Sequence, residues 1–377
     1  MDVRFLGTGG GAGWPEPGCP CASCRRAAAS GPGRRPVSLL VDGRLRLEPG
    51  QPPRGAAPGY QVSELPGGWD VTGPDGARLL AARGLAAIPE PGSVTRPYDL
   101  VILDLLGFPA QLGSWRARGL VGADATAAFL SADHRVASER ELSRRAGLWR
   151  AIAPADGDVL STERRVAEPG AAEPGAAGPG QGGGQPAGRP QRTLVLGGAR
   201  SGKSREAELR LAGEPDVTYL AAGPWPDDAW TGADGQPDAE WTERVAAHQA
   251  RRPPWWRTVE SLDLAGALRR LDGAVLIDGI GTWLAAVMDQ AGAWDPGPRG
   301  EKAADRLAGQ VDDLVTAWRE TRATVVAVSD QVGSGLVPDT PAGRQFRDQL
   351  GWLNQRLAAE SEQAVLVVAG RVLDLPT

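Results

Sequence analysis

The sequence predicts an α/β chain whose C-terminal half is a parallel sheet with helices on both faces. Three observations predict it. Short apolar or β-branched runs recur at Thr193–Leu196, Val217–Ala222, Ala274–Ile277, Thr324–Ser329 and Ala364–Ala369. Between them lie stretches of helical period: Leu307, Val311, Leu314, Val315 and Trp318 fall on one face, as do Phe346, Leu350, Leu353 and Leu357. The first run also leads directly into a glycine-rich loop and then the helical segment REAELRLA. Apolar strands that alternate with helices indicate a sheet buried on both sides.

Composition excludes several functions. At 377 residues the chain has room for two domains, and 41 Lys plus Arg against 46 Asp plus Glu give a net charge of −5. That balance argues against a protein held on nucleic acid by phosphate neutralisation. Lysine occurs only at 203 and 302, and the two histidines, His134 and His248, are too few for a His-rich binuclear metal centre. The opening MDVRFLGTGGGAGW lacks the basic segment and apolar core of a signal peptide. No apolar run approaches the ~20 residues needed to span a bilayer. A soluble, cytoplasmic protein is expected.

Residues 1–165 open with a strand and a Gly-rich turn, V-R-F-L-G-T-G-G, followed by Cys19, Cys21 and Cys24, an apolar strand at Val37–Val41 and Asp42-Gly43. Three closely spaced thiols suit a tetrahedral Zn²⁺ lacking one ligand, and His134 is the remaining soft donor of this half. A Cys₃His structural zinc and free surface thiols both fit the spacing. The pattern resembles the start of metallo-β-lactamase-fold phosphodiesterases. Hydrolases of that fold use an H-x-H-x-D-H cluster, which is absent from this sequence. Tyr98–Leu106 is similar to a late strand of the same fold, so the resemblance implies a truncated, degenerate, non-hydrolytic α/β region. A remnant with so few strands is expected to pack poorly, or to draw stability from zinc or a partner.

Residues 166–190 contain EPGAAEPGAAGPGQGGGQPAGRP, in which almost every residue is Gly, Pro, Ala or Gln. Such a stretch has nothing to bury and reads as a flexible linker before a domain at 191–377. The loop that follows the first strand is Gly197-Gly198-Ala199-Arg200-Ser201-Gly202-Lys203-Ser204, a G-x-x-x-x-G-K-S match. Its glycines let backbone N–H groups surround a phosphate at a helix N-terminus, Lys203 reaches the outer phosphates and the Ser204 hydroxyl can ligate Mg²⁺. A Gly-rich turn without a ligand is the bland alternative.

Asp278 follows the strand Ala274–Ile277 at the end that faces such a loop, where its carboxylate serves Mg²⁺ or merely caps a turn. Asp330, after Thr324–Ser329, is a rival for the metal role. Trp241 to Glu260 begins as a helix that Pro253-Pro254 stops, placing His248 in its last turns beside Arg251 and Arg252. A neutral imidazole with two arginines can attack phosphorus, and equally a histidine at a helix C-terminus can complement the dipole.

The motifs taken together resemble the bifunctional adenosylcobinamide kinase/adenosylcobinamide-phosphate guanylyltransferase family. They are GGARSGKS with R-x-A-E (Gly197 to Glu208), R-V-x-x-H-x-x-R-R-P-x-x-W-R-T-V-E (Arg244 to Glu260), Asp278 with Thr282-Trp283-Leu284, D-x-V-G-x-G-x-V-P (Asp330 to Pro338) and R-x-F-R-D-x-x-G-x-x-N-Q (Arg344 to Gln355). The resemblance implies a P-loop (RecA-like) sheet, Mg²⁺, and ATP or GTP as substrates. It also implies phosphorylation of adenosylcobinamide followed by GMP transfer from GTP through a histidine phosphoramidate to adenosylcobinamide phosphate. By residue match His248 carries the GMP, Gly197 to Ser204 hold the triphosphate, Leu220, Ala221, Ala222, Gln249, Ala250, Arg251 and Arg252 line the nucleotide site, and Glu260 and Asp278 read guanosine or place Mg²⁺. Relatives form trimers, so a homo-oligomer is implied. Two departures stand out: Ala247 precedes His248 where some relatives have a second histidine, and Pro224–Ala239 is an insertion, either a lid or neutral. The residues themselves leave open a P-loop small-molecule kinase or GTPase without guanylyl transfer, and a non-catalytic nucleotide-binding partner protein.

Overall fold

The computed structural model describes residues 1–55, 58–83, 96–162, 191–223, 252–294 and 298–376, together with Glu243, Ala246, Gln249 and Ala250. The linker 166–190, the insertion at 224–239, His248 and Arg251 lie outside the described residues. Two compact units are distinguished, Met1–Arg189 with Ala212–Pro215, and Pro190–Leu211 with Asp216–Thr377. Among the described residues no helix is long and apolar enough to cross a membrane.

In the first unit β1 (Asp2–Gly7), β2 (Ser38–Val41), β3 (Leu45–Leu47) and β9 (Val159–Ser161) form an antiparallel sheet ordered β3-β2-β1-β9. A second sheet is ordered β4 (Gln61–Leu65), β5 (Gly68–Thr72), β6 (Arg78–Ala82), β7 (Tyr98–Leu103) and β8 (Val121–Phe129). One buried cluster takes Val3, Phe5, Leu39 and Val41 from the first sheet and Val71, Leu79, Leu100 and Ile102 from the second. The loosely packed remnant expected from the strand count is therefore not what forms. β4, β5 and β6 fill the stretch in which the sequence shows no strand; they extend the sheet of β7, whose inner face packs on the first sheet. Helices α1 (Ala22–Ser30), α2 (Pro109–Ala117) and α3 (Glu139–Leu148) complete the unit.

The end of β1 is pinned by Asp156, which accepts hydrogen bonds from the Thr8 N–H and O–H at 2.8 and 2.7 Å and from the Arg35 N–H and Nε at 2.8 and 3.1 Å. Partial burial pulls its pKa up, but these donors outweigh it and hold the carboxyl below its ordinary value. The stabilisation is present above the unfolded carboxylate pKa of about 4 and is lost as pH falls through the lower folded value. Asp156→Asn should cost about 1–3 kcal/mol in urea unfolding at pH 7, and the gap to the parent should close below about pH 4.

The second unit is a seven-stranded sheet ordered β12 (Arg257–Glu260), β11 (Val217–Ala221), β13 (Ala274–Asp278), β14 (Thr324–Asp330), β10 (Arg192–Gly197), β15 (Gln363–Val368) and β16 (Arg371–Leu375). All neighbours are parallel except β15 and β16. Side chains alternate between two cores. Leu194, Leu196, Val275, Ile277, Val325 and Ala327 pack with α5 (Leu264–Arg270), α6 (Ile280–Ala291), α7 (Pro298–Glu320) and α8 (Pro341–Ala359) through Leu268, Leu284, Leu314 and Leu353. Val195, Leu276, Val326 and Val365 face the other way, onto Ala207 and Leu211 of α4 (Lys203–Leu211) and onto Trp256. This is the doubly covered parallel sheet that the apolar runs predict. All five predicted strands are present, each within a residue of its predicted limits. The two edge strands, β12 and β16, are not among the predicted runs.

Candidate functional site

The phosphate loop connects β10, the strand between β14 and β15, to α4. Its geometry explains its spelling. A Cβ on Gly197 would lie 2.4 Å from the Ser201 Oγ and 2.9 Å from the Val367 carbonyl oxygen, so only glycine fits. Arg200 (φ 55°) and Gly202 (φ 99°) both take positive φ, which turns the chain sharply before the helix. Gly370, at the turn between β15 and β16, donates its N–H to the Ser201 carbonyl at 2.8 Å.

At the C-terminal edge of the sheet the register aligns Gly197 with Asp330, and Ala221 with both Asp278 and Glu260. This gathers the predicted residues from separate strands, as parallel open sheets do for ligands. The Ser204 hydroxyl donates to Asp278 Oδ1 at 3.5 Å, and the Tyr219 hydroxyl donates to Oδ2 at 2.6 Å. Hard oxygen donors of this kind, an alcohol and a carboxylate at a phosphate loop, fit Mg²⁺. Burial, with the Asp278 charge behind it, raises the Tyr219 pKa well above its ordinary value, so the phenol stays a donor. The Arg252 guanidinium stacks on the other side of this group, 3.3 Å from the Tyr219 ring centroid, with Nη1 3.3 Å from the Thr258 hydroxyl. Its buried Nε has no hydrogen-bond partner among the described residues.

Lys203 Nζ lies 2.8 Å from Asp330 Oδ1 and 3.2 Å from the Gly198 carbonyl. Asp330 is thus placed as the partner of Lys203, and Ser204 approaches Asp278 instead. Asn354 of α8 fixes that strand end: its Nδ2 donates to the Asp330 carbonyl at 3.1 Å while its Oδ1 accepts from the Ser329 hydroxyl at 2.6 Å. Arg344, at the start of the same helix, donates to the carbonyls of Pro338 and Asp339 at 2.9 and 2.8 Å and closes the loop that leaves Asp330. Leu220 and Ala222 are fully buried in the sheet core, so they can meet a nucleotide only through backbone groups. Glu260 is exposed at the end of β12; Gln249 and Ala250 are also exposed, and the Gln249 carbonyl accepts from the Arg252 N–H at 3.2 Å. The sequence assigns no role to Tyr219, and it names Asn354 only as a letter of the motif from Arg344 to Gln355. A tyrosine in a buried strand carries no signal until strand register is known, and what the asparagine holds follows only from helix contacts.

In the first unit, Cys19, Cys21, Cys24 and His134 come together, their ligand atoms all within 4.8 Å of one another. Ser23 draws them together: its hydroxyl accepts from Trp14 Nε1 at 3.2 Å and donates to the Val136 carbonyl at 2.6 Å, docking α1 onto the His134 segment. Arg26 Nε adds a bond to the Ala137 carbonyl at 2.9 Å. His134 Nδ1 lies 3.7 and 3.9 Å from the sulfurs of Cys19 and Cys24, and 3.2 Å from Glu16 Oε2. The Cys24 N–H, bonded to Cys21 Sγ at 3.4 Å, holds that thiol below its ordinary pKa, while burial pushes Cys24 up to about 11. The donor set and its spacing fit a tetrahedral zinc ion.

The model of the family described as cobinamide kinase / cobinamide phosphate guanyltransferase matches residues 193–375. The bifunctional adenosylcobalamin biosynthesis protein CobU of Salmonella typhimurium is 37% identical over 183 residues, 47% of this chain and 95% of that protein. The protein of the same name from Escherichia coli is 34% identical over 183 residues, with the same two shares. The bifunctional adenosylcobalamin biosynthesis protein CobP of Pseudomonas aeruginosa is 37% identical over 190 residues, 49% of this chain and 96% of that one. Among solved structures, an ATPase from the type III secretion system of pathogenic bacteria is similar at TM-score 0.30 and 13% identity, over 47% of this chain and 50% of that chain.

Proposed function

Because this chain belongs to the cobinamide kinase / cobinamide phosphate guanyltransferase family through residues 193–375, we propose that the edge holding Lys203, Ser204 and Asp278 serves both of its group transfers. In the first, the hydroxyl of the aminopropanol arm of adenosylcobinamide attacks the γ-phosphorus of a nucleoside triphosphate. A P–O bond forms, the bond to the β-phosphate oxygen breaks, and nucleoside diphosphate leaves. In the second, an imidazole nitrogen of His248 attacks the α-phosphorus of GTP and pyrophosphate leaves. An oxygen of adenosylcobinamide phosphate then attacks the same phosphorus, the P–N bond breaks, and adenosylcobinamide-GDP departs with the histidine regenerated. Dividing the transfer in two lets a large acceptor enter after pyrophosphate has left.

The observation that supports this assignment is the contact series Ser204–Asp278–Tyr219–Arg252. It anchors the end of the histidine segment, four residues beyond His248, at the phosphate end of the sheet. Arg252 brings a charge and a buried N–H that has no partner among the described residues and is suited to a phosphoryl oxygen. Gly197, Gly198, Ala199, Arg200, Ser201 and Gly202 would wrap the triphosphate, with Gln249, Ala250, Arg251 and Glu260 beside the nucleoside. Mg²⁺, held by Ser204 and Asp278, would supply charge neutralisation at the phosphates.

GTP labelled at the α-phosphate should leave an acid-labile, alkali-stable label on the protein, and His248→Ala should abolish it while retaining GTP binding. Folded, GTP-binding parent protein that takes up no label would overturn the guanylyl-transfer assignment, whereas transfer from γ-labelled nucleotide to cobinamide would still report the kinase. The remaining features are proposals of the same kind: a degenerate metallo-β-lactamase-like unit with a structural zinc on Cys19, Cys21, Cys24 and His134, a linker at 166–190, a cytoplasmic location and a homotrimer. Sedimentation of the full chain tests the last.

A further inference from the structure

Tyr219 occupies an unusual position in the sheet. It is 2% exposed, and its ring packs against α4 and Trp256 in the core on that face. Its hydroxyl nevertheless reaches the carboxylate at the end of the neighbouring strand. Strand register makes this possible. Tyr219 pairs with Leu276, Ala221 pairs with Asp278, and the phenol spans the intervening two-residue step. One atom group thus fixes Oδ2 of Asp278, leaving Oδ1 toward Ser204. The π-face of the same residue carries the Arg252 guanidinium, which is also tied to Thr258 on β12.

We propose that Tyr219 is a positioning residue for both transfers, orienting the metal-binding carboxylate with its hydroxyl and the phosphate-binding arginine with its ring. The inference rests on the assignment of Asp278 and Arg252 made above. A carboxylate free to rotate presents either oxygen to a cation, whereas one fixed by a phenol presents a defined oxygen at a defined distance from Ser204. Outer partners of metal ligands typically contribute 10–100-fold to metal affinity. The ring acts separately, because a guanidinium held over an aromatic face loses little further freedom when it meets a phosphate.

Two full-length variants separate the two roles. Tyr219→Phe keeps the ring and removes the hydrogen bond; Tyr219→Leu removes both. Mn²⁺ would be titrated into protein loaded with a non-hydrolysable GTP analogue, with free Mn²⁺ read by electron paramagnetic resonance. Guanylylation would be followed in parallel with α-labelled GTP. Tyr219→Phe should weaken Mn²⁺ binding about tenfold while analogue binding in EDTA stays at the parental level. Tyr219→Leu should show the same Mn²⁺ loss and, in addition, a KM for GTP about fivefold above that of Tyr219→Phe. Parental Mn²⁺ affinity in Tyr219→Phe overturns the proposal. So does an equal loss of metal and analogue binding in both variants with a lowered melting temperature, the signature of a purely structural tyrosine. If the parent binds Mn²⁺ and analogue but takes up no label, the guanylyl-transfer assignment fails while the titration still reports on Tyr219.

Discussion

Lys203→Ala should cut both activities by roughly 10²–10³-fold while leaving the protein folded. Lys203 Nζ sits at the mouth of the phosphate loop, against Asp330 Oδ1 and the Gly198 carbonyl. A triphosphate there would take over the ammonium from Asp330, exchanging one carboxylate partner for oxygens whose charge increases as the bond to the leaving group breaks. Preorganised charge at such a position contributes about 3–4 kcal/mol to the transition state, so kcat for the kinase and the rate of protein labelling should each fall roughly 10²–10³-fold. The Asp330 side chain is 43% exposed, so water covers it once its partner is gone and the fold loses little. Lys302, exposed on α7, supplies the control: Lys302→Ala should retain both rates. Parental labelling in Lys203→Ala would show that nucleotide binds elsewhere.

The second large effect is expected in the first unit. Cys24→Ser, or prolonged chelation of the full chain, should release one zinc ion per chain and lower the melting temperature of the first unit's transition. The nucleotide chemistry should be unaffected. Cys24 is 2% exposed, and its sulfur accepts the Glu16 N–H at 3.4 Å. Burial keeps this thiol protonated at neutral pH, so a bound ion has to displace that proton, and zinc uptake should steepen as pH rises. Once bound, the ion would join the turn before α1, α1 itself and the His134 segment, across more than a hundred residues of sequence. Loss of such a crosslink is expected to destabilise by several kcal/mol. Purified protein with no zinc by elemental analysis, and melting unchanged by chelator, would return the three cysteines to plain thiols.

Much of the second unit was legible in the letters. Its central strands are buried on both faces, so they read as unbroken apolar runs, and the phosphate loop has few alternative spellings. β16 reads Arg371-Val-Leu-Asp-Leu375, with Arg371, Leu373 and Asp374 exposed at the sheet edge, a weaker pattern; β12 is four residues long. In the first unit β4–β6 pass through Gly-, Pro- and Asp-containing sequence, and their burial depends on a facing sheet that local pattern cannot reveal. The proposed zinc ligands were legible as residue types. That His134 meets cysteines more than a hundred positions away depends on Ser23 and Arg26 docking α1. The carboxylates at 278 and 330 were both recognised as candidates, but their partners follow from register and from Asn354, which no single-strand pattern contains.

The bond from the Gly370 N–H to the Ser201 carbonyl has a consequence for the order in which the site is made. β10 carries the phosphate loop, yet one of its two neighbours, β15, is translated more than 160 residues later, and the turn that braces the loop later still. On the ribosome, a chain that has emerged only as far as α8 has β10 as a sheet edge, and its loop lacks the Gly370 brace. Completion of the loop's surroundings is therefore a late event in biosynthesis, and shortening the chain ahead of Gly370 removes a brace of the loop from a distance.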